Sequence, residues 1–367
     1  MPDNFSYEFF SDTASAWQAM FEAIARAQKL VYWEVYMFLD DEQGKKYVAL
    51  LCEKARAGVE IKLILDAVGS MEFTASAERE LRLAGVEIVW YNPIFPRHFF
   101  RRWRERLWQR NHRKVLVIDG ENGFVGGVNV HAAHRNWNDL HLRISGDTVR
   151  SLLYGFARSY IKSGGDKTKM RKILHPRLML GLPEWRNKIR FFFHSPNQKS
   201  KRDLQQFFFN AMEAAKTSVT LLTPYYVPNR DFLRLLERAT RRGIRIDLLV
   251  PARSDIQLMD ILAQKYFQKV HEMGVNIYLS DQMNHSKAMV VDDNMGMVGS
   301  VNLTKRSFDI NEEVGAYFTN VDMVNDLNKI LSGWKEKAKP LALVKIHARG
   351  WWWRFKAWWA DRFEKYV

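Results

Sequence analysis

Three residues capable of phosphate chemistry, His112, Lys114 and Asp119, recur later in the chain as His285, Lys287 and Asp292. The first copy reads HRKVLVIDGENGFVGGVN and the second HSKAMVVDDNMGMVGSVN, with Gly126 and Asn129 matched by Gly299 and Asn302. A lone HxK arises by accident in a basic chain, but five residue types at matching offsets in two places do not. Histidine and lysine at i and i+2 project from one face of a strand. The ammonium can neutralise the non-bridging oxygens of a phosphodiester, while the imidazole attacks phosphorus or moves a proton near neutral pH. A twofold pairing of the copies would set one histidine to attack and the other to protonate the departing oxygen, in line. Asn129 and Asn302 are placed to donate to phosphoryl oxygens. Ser300 is the one candidate hydroxyl, since Gly127 stands at its position in the first copy.

A histidine nucleophile needs an acceptor on its other ring nitrogen. Each half offers one: Asp139, 27 residues after His112, and Glu313, 28 after His285. Asp119 and Asp292 end their strands, where they either join the catalytic set or hold the local turn. With no HExxH, no EF-hand loop and a single cysteine, Cys52, neither a metal nor another cofactor is expected.

The elements that position these residues are themselves duplicated. A helical stretch near 13–28 leads into the strand-like LVYWEVYMF (30–38), as one near 203–216 leads into SVTLLTPYYV (218–227). Charged amphipathic helices then end at Gly58 and Gly243, each before a β-branched strand. Alternating strands and helices predict α/β repeats with a central mixed sheet flanked by helices, two pseudo-symmetric copies sharing one active site. The predicted boundaries are 1–165 for the first repeat, 166–190 for a linker, 191–340 for the second repeat and 341–367 for a tail. The halves differ in length: Gly85 precedes His112 by 27 residues but Gly274 precedes His285 by 11. The extra residues fall in an arginine- and aromatic-rich insert, 93–110, containing Arg101, Arg102, Trp103 and Arg104. The tail carries Trp351, Phe355, Trp358, Trp359 and Phe363 at helical spacing among cations, with Trp352 beside the first. Both read as interfacial contacts, or as helices packed on protein.

The net charge of +15 requires an anionic partner or a merely soluble basic surface. Nucleic acid and an acidic lipid surface both fit the charge, and the 13 tryptophans favour lipid. No apolar run reaches the length of a bilayer span, and the opening residues do not read as a signal peptide. The expectation is a protein of the cytosol that reaches its membrane from outside the bilayer.

At the two HxKx4D motifs the chain resembles the phospholipase D superfamily, over residues from about 15 to 340. YWEVYMF, LILDAVGS, the GGVN form of the first motif and NDLHLRISG are similar to segments of bacterial cardiolipin synthases, in the shorter form without N-terminal transmembrane helices. The resemblance implies metal-independent phosphatidyl transfer between two phosphatidylglycerol molecules. The intermediate would be a phosphohistidine on His112, with His285 as acid and base, and glycerol would be released. It implies an anionic phospholipid membrane as partner, no nucleic acid, and a peripheral place on the cytoplasmic face of the bacterial inner membrane. The alternatives are a phospholipase D-type hydrolase or transferase using another phospholipid or alcohol, a nuclease of the superfamily, or a membrane-binding protein without turnover.

Overall fold

The computed structural model describes residues 5–93, 108–175, 188–196 and 203–341. Strands of the first half are β1 (Ser6–Asp12), β2 (Leu30–Val35), β3 (Glu60–Asp66), β4 (Glu87–Tyr91), β5 (Val115–Ile118), β6 (Asn122–Gly126) and β7 (Asn138–Ser145). Its helices are α1 (Thr13–Arg26), α2 (Glu42–Arg56), α3 (Ala75–Ala84) and α4 (Val149–Lys162). The second half has β8 (Ile189–His194), β9 (Ser218–Leu222), β10 (Tyr226–Val227), β11 (Arg245–Pro251), β12 (Val275–Ser280), β13 (Ala288–Val291), β14 (Met295–Gly299), β15 (Leu303–Thr304), β16 (Glu313–Phe318) and β17 (Lys339–Pro340). Its helices are α5 (Asp203–Ala214), α6 (Arg230–Arg241), α7 (Gln257–Glu272), α8 (Lys305–Asp309) and α9 (Val321–Lys337).

The first sheet runs β1-β7-β6-β5-β2-β3-β4 and the second β17-β12-β11-β9-β13-β14-β16-β8. Read from opposite ends these are the same order, with β17 added at one edge, so the duplication extends from motif to topology. Strands β2, β3 and β4 are parallel and β5 to β7 antiparallel, which makes the sheet mixed, as expected. Continuous apolar runs suit a sheet covered on both faces. Successive residues of β2 show it: Trp33 packs edge-on to Tyr47 of α2, and Tyr32 stacks on Phe156 of α4.

The glycines predicted to close helices do so identically in both halves. Gly58 (φ 92°) donates to Ala55 and Val59 to Lys54; Gly243 (φ 82°) donates to Thr240 and Ile244 to Ala239. A left-handed residue here turns the chain directly into β3 or β11 at no Cβ cost.

The described chain forms two compact units. One runs to Phe193 and also takes in Glu312–Ala316; the other runs from His194 to Asn311 and resumes at Tyr317. Five residues of the second repeat are thus built into the first unit. The basic insert, including Arg101, Arg102, Trp103 and Arg104, lies largely outside the described residues, as does the tail with Trp351, Trp352, Trp358 and Trp359.

Candidate active site

Because β5 is antiparallel to β2, the segment entering β5 lies at the C-terminal end of β2 and β3. His112 and Lys114 occupy that segment; they precede the strand rather than lie within it, contrary to the expectation from alternation. The cause is local. Asn111 Oδ1 accepts from Arg113 N at 3.3 Å, and Asn284 Oδ1 from Ser286 N at 3.1 Å, holding each HxK out of the ladder. In the first unit the main chain of 110–112 pairs with Glu312 instead: His112 N donates to Glu312 O and Glu312 N to Arg110 O, both at 2.9 Å.

That pairing delivers the next residue. Glu313 Oε2 lies 3.1 Å from His112 Nδ1, both side chains buried. A carboxylate here fixes the proton on Nδ1 and leaves Nε2 as the lone-pair nitrogen. Spacing alone associates Glu313 with His285, so the partnership crosses the repeats. The Tyr36 ring meets the His112 imidazole edge-on at 5.0 Å, and Lys114 Nζ donates to His112 O at 2.8 Å.

Behind His112 stands a buried ionic scaffold that sequence reading missed. Arg113 donates to Glu312 Oε2 (2.8 Å), to Ser159 Oγ (2.6 Å) and, through Nε, to the Glu313 carbonyl (3.1 Å). Lys162 and Gln109 also meet the Glu312 carboxylate. Glu34 accepts from Asn111 Nδ2 at 2.7 Å, and Asp66 accepts from Asn111 N at 2.8 Å. Burial raises the pKa of both carboxyls, against the opposing charges of Arg113 and Arg110 respectively. The available signal was Asn111 and Asn284, each immediately before its motif histidine.

In the second unit Lys287 Nζ lies 2.9 Å from His285 Nε2 and also meets the His285 carbonyl. An ammonium in that position requires the lone pair on Nε2. The Tyr225 ring packs on His285 edge-on at 6.1 Å, and its hydroxyl donates to Asp255 at 2.7 Å. Ser300 is fully buried. Asn129 and Asn302 each hold a buried Oδ1 with no hydrogen-bond partner among the described residues.

The motif aspartates sit at the far ends of β5 and β13. Asp119 accepts from the backbone N–H groups of Gln28, Lys29 and Leu30 at 2.7–2.9 Å. Asp292 accepts from Lys216, Thr217 and Ser218 at 2.7–2.9 Å. Burial pushes the Asp292 carboxyl up, but these N–H groups outweigh it and hold it below the usual range. A four-residue strand separates each aspartate from its HxK, and these bonds tie the start of β2 or β9 to the motif strand. Asp139 is buried and caps Leu140 N at 2.8 Å. A Cβ on Gly127 would overlap its carboxylate, which accounts for glycine where the second copy has Ser300. Among the described residues no cluster of His, Cys, Asp and Glu is disposed to hold a metal, and no helix is long and apolar enough to cross a membrane.

Residues 20–152 and 208–334 match the family model described as "Cardiolipin synthase, PLD-like domain". The chain belongs to that family. Cardiolipin synthase-family relatives include one from Geobacillus thermodenitrificans, named cardiolipin synthase, 34% identical over 90% of this chain and 66% of its own length. Another of that name, from Geobacillus kaustophilus, is 33% identical over 84% of this chain and 62% of its own. The chain thus spans slightly under two thirds of these relatives. Among solved structures, the phosphatidylserine synthase of Haemophilus influenzae superposes with a TM-score of 0.73 at 13% identity, covering 98% of this chain and 93% of that one. At that identity the likeness shows that the family's duplicated α/β fold is shared.

Proposed function

We propose that the chain is a phosphatidyltransferase that makes cardiolipin from two phosphatidylglycerol molecules. The observation that carries this reading is the His112–Glu313 pair, a buried imidazole with its Nδ1 fixed by a carboxylate from the other repeat. Family membership supports the lipid class. His112 Nε2 attacks the phosphorus of the first phosphatidylglycerol, the bond to the glycerol headgroup oxygen breaks, and a phosphohistidine forms. His285 gives the departing alkoxide its proton, then takes one from a hydroxyl of the second phosphatidylglycerol. That oxygen attacks phosphorus, the P–N bond breaks, and His112 is restored.

Charging His285 Nε2 for the acid step displaces Lys287, freeing its ammonium for the phosphate oxygens; Lys114 does the same from the first repeat. Asn129 and Asn302, with Ser300 beside the latter, complete the phosphate's hydrogen bonds. Asp139 is the second orienting carboxylate of the proposal. The histidine pair and two ammonium groups supply nucleophile and charge neutralisation from side chains alone, so no cofactor enters the scheme. The net charge of +15 suits peripheral work on an anionic membrane, placed here at the cytoplasmic face.

Incubating the protein with labelled phosphatidylglycerol in mixed micelles, with and without chelator, tests the reading. Cardiolipin and free glycerol in equal amounts, unaffected by chelator, are expected. Phosphatidic acid alone would mean that water is the acceptor, and no lipid product at all would overturn the assignment.

A further inference from the structure

Each repeat presents one exposed apolar side chain in the loop that leaves its second parallel strand. Met71 (65% exposed) follows β3, and Ile256 (44% exposed) follows β11. Strands β3 and β11 are corresponding elements, and these loops leave their C-terminal ends, where the HxK segments lie.

The connection to the motif histidines is closer than a shared end of the sheet. Ser70 Oγ donates to the carbonyl of Tyr36, whose ring packs on His112. Asp255 accepts from the hydroxyl of Tyr225, whose ring packs on His285. Met71 and Ile256 are the very next residues in the chain. In both repeats, then, an exposed apolar tip stands one residue beyond a side chain hydrogen-bonded to the tyrosine that packs on the histidine. Different residues make the two contacts, so the correspondence is one of position and not of copied sequence. Ile256 stands between the exposed Asp255 and Gln257, and beyond them Leu258, Ile261 and Tyr266 are half-buried against a cluster that includes Tyr225. Arg253, exposed in the same loop, adds a cation.

The other exposed large apolar side chains among the described residues lie elsewhere. Leu83 (81% exposed) is in the last turn of α3, where the chain returns to the start of β4, the opposite end of the sheet. Val321 opens α9, whose Asn328 bonds Asp293 in the turn after β13, again away from the histidine.

We infer that the Met71 and Ile256 loops are membrane-contact tips that seat each half-site on a phospholipid bilayer. This rests on the proposed lipid substrate. A site that takes its phosphodiester from a bilayer must face it, and an apolar side chain set in the interface lowers the free energy of that encounter. Isolated exposed apolar residues are ordinary on a protein surface; what sets these two apart is that each stands in the corresponding loop of its own repeat, next to a residue bonded to the tyrosine on its motif histidine.

Met71→Glu, Ile256→Glu and the control Leu83→Glu should be compared in the full chain by sedimentation with equimolar phosphatidylglycerol–phosphatidylcholine vesicles. Turnover of monomeric short-chain phosphatidylglycerol should be followed in parallel. Each tip variant is expected to bind vesicles about tenfold more weakly, with monomeric turnover and melting temperature unchanged, and the control to bind as before. Insertion can be read without any charge change. Cys52 is buried, so a polarity-sensitive dye can be directed to Met71→Cys, Ile256→Cys or Leu83→Cys. Emission should rise with vesicles at the first two positions and not at the third. Unaltered vesicle binding by either Glu variant, or equal dye response at all three positions, overturns the inference. If the wild type turns over no phosphatidylglycerol, the proposed function fails, while the binding and dye measurements still decide the membrane contact.

Discussion

The two repeats share strand order, helix caps and motif, yet they differ in where they bury charge. Around His112 the first repeat places Glu34, Asp66 and Arg113 in the interior; at the corresponding positions the second has Leu222, Pro251 and Ser286. On β3 the buried Lys62 lies between Glu60 and Glu87, whereas the matching position on β11 is the buried Asp247, met by Lys335 and Asn276. Even the sign is reversed. The fold therefore does not require these ions; they answer to local tasks. The task beside His112 is to hold Glu312–Ala316, since Arg113 grips both the Glu312 carboxylate and the Glu313 carbonyl.

The comparison can be broken most severely at the histidines. His112→Ala and His285→Ala should each lower transfer by on the order of ten-thousandfold; substantial activity in either would show that the halves do not work as one unit. Glu313→Gln should cost about a hundred- to a thousandfold in kcat with little change in melting temperature, because it disturbs the tautomer and leaves the packing. Denaturant titration of Lys62→Met should show a loss of about 1–2 kcal/mol, since its two carboxylate partners stay open to water and Met refills the buried space. Asp247→Asn should lose only about 1 kcal/mol, its Lys335 partner being partly solvated. Gly127→Ser, which makes the first motif look like the second, should destabilise by about 2 kcal/mol through its clash with Asp139; a neutral result would remove the steric account of the glycine.

The smallest effect at neutral pH concerns His141, where the second repeat has Gly315. Burial, aided by Lys114 and opposed by Asp139, lowers its pKa to about 4. The unfolded chain therefore takes up this proton first on acidification. The contribution is complete above pH ~6.5 and is lost as pH falls toward about 4, amounting to roughly 3 kcal/mol at most. Stability measured across that range should slope less in His141→Leu.

Duplication was legible because periodicity, closing glycines and motif offsets are local patterns; the strand order rests on pairings between distant segments, and sequence did not supply it. The histidine–lysine pairs were legible for the same reason. The partner of His112 was not: Glu313 lies 201 residues away, and a spacing within one residue of that from His112 to Asp139 made it look like a neighbour of His285. Nor was the service of Asp119 and Asp292 to the start of β2 and β9 decided by sequence, because a carboxylate capping three N–H groups and one facing a substrate are written alike. Arg113 and Glu34 left no trace at all, having no counterpart in the other repeat to draw attention to them.

The placement of Glu312–Ala316 in the first unit carries a consequence for synthesis. A ribosome completes His112 long before it reaches Glu313, so a nascent or truncated chain ending anywhere before that residue holds His112 without the carboxylate that meets its Nδ1. In the proposed mechanism, phosphohistidine formation would wait until almost the whole described chain has been translated, and prematurely terminated products should transfer no phosphatidyl group.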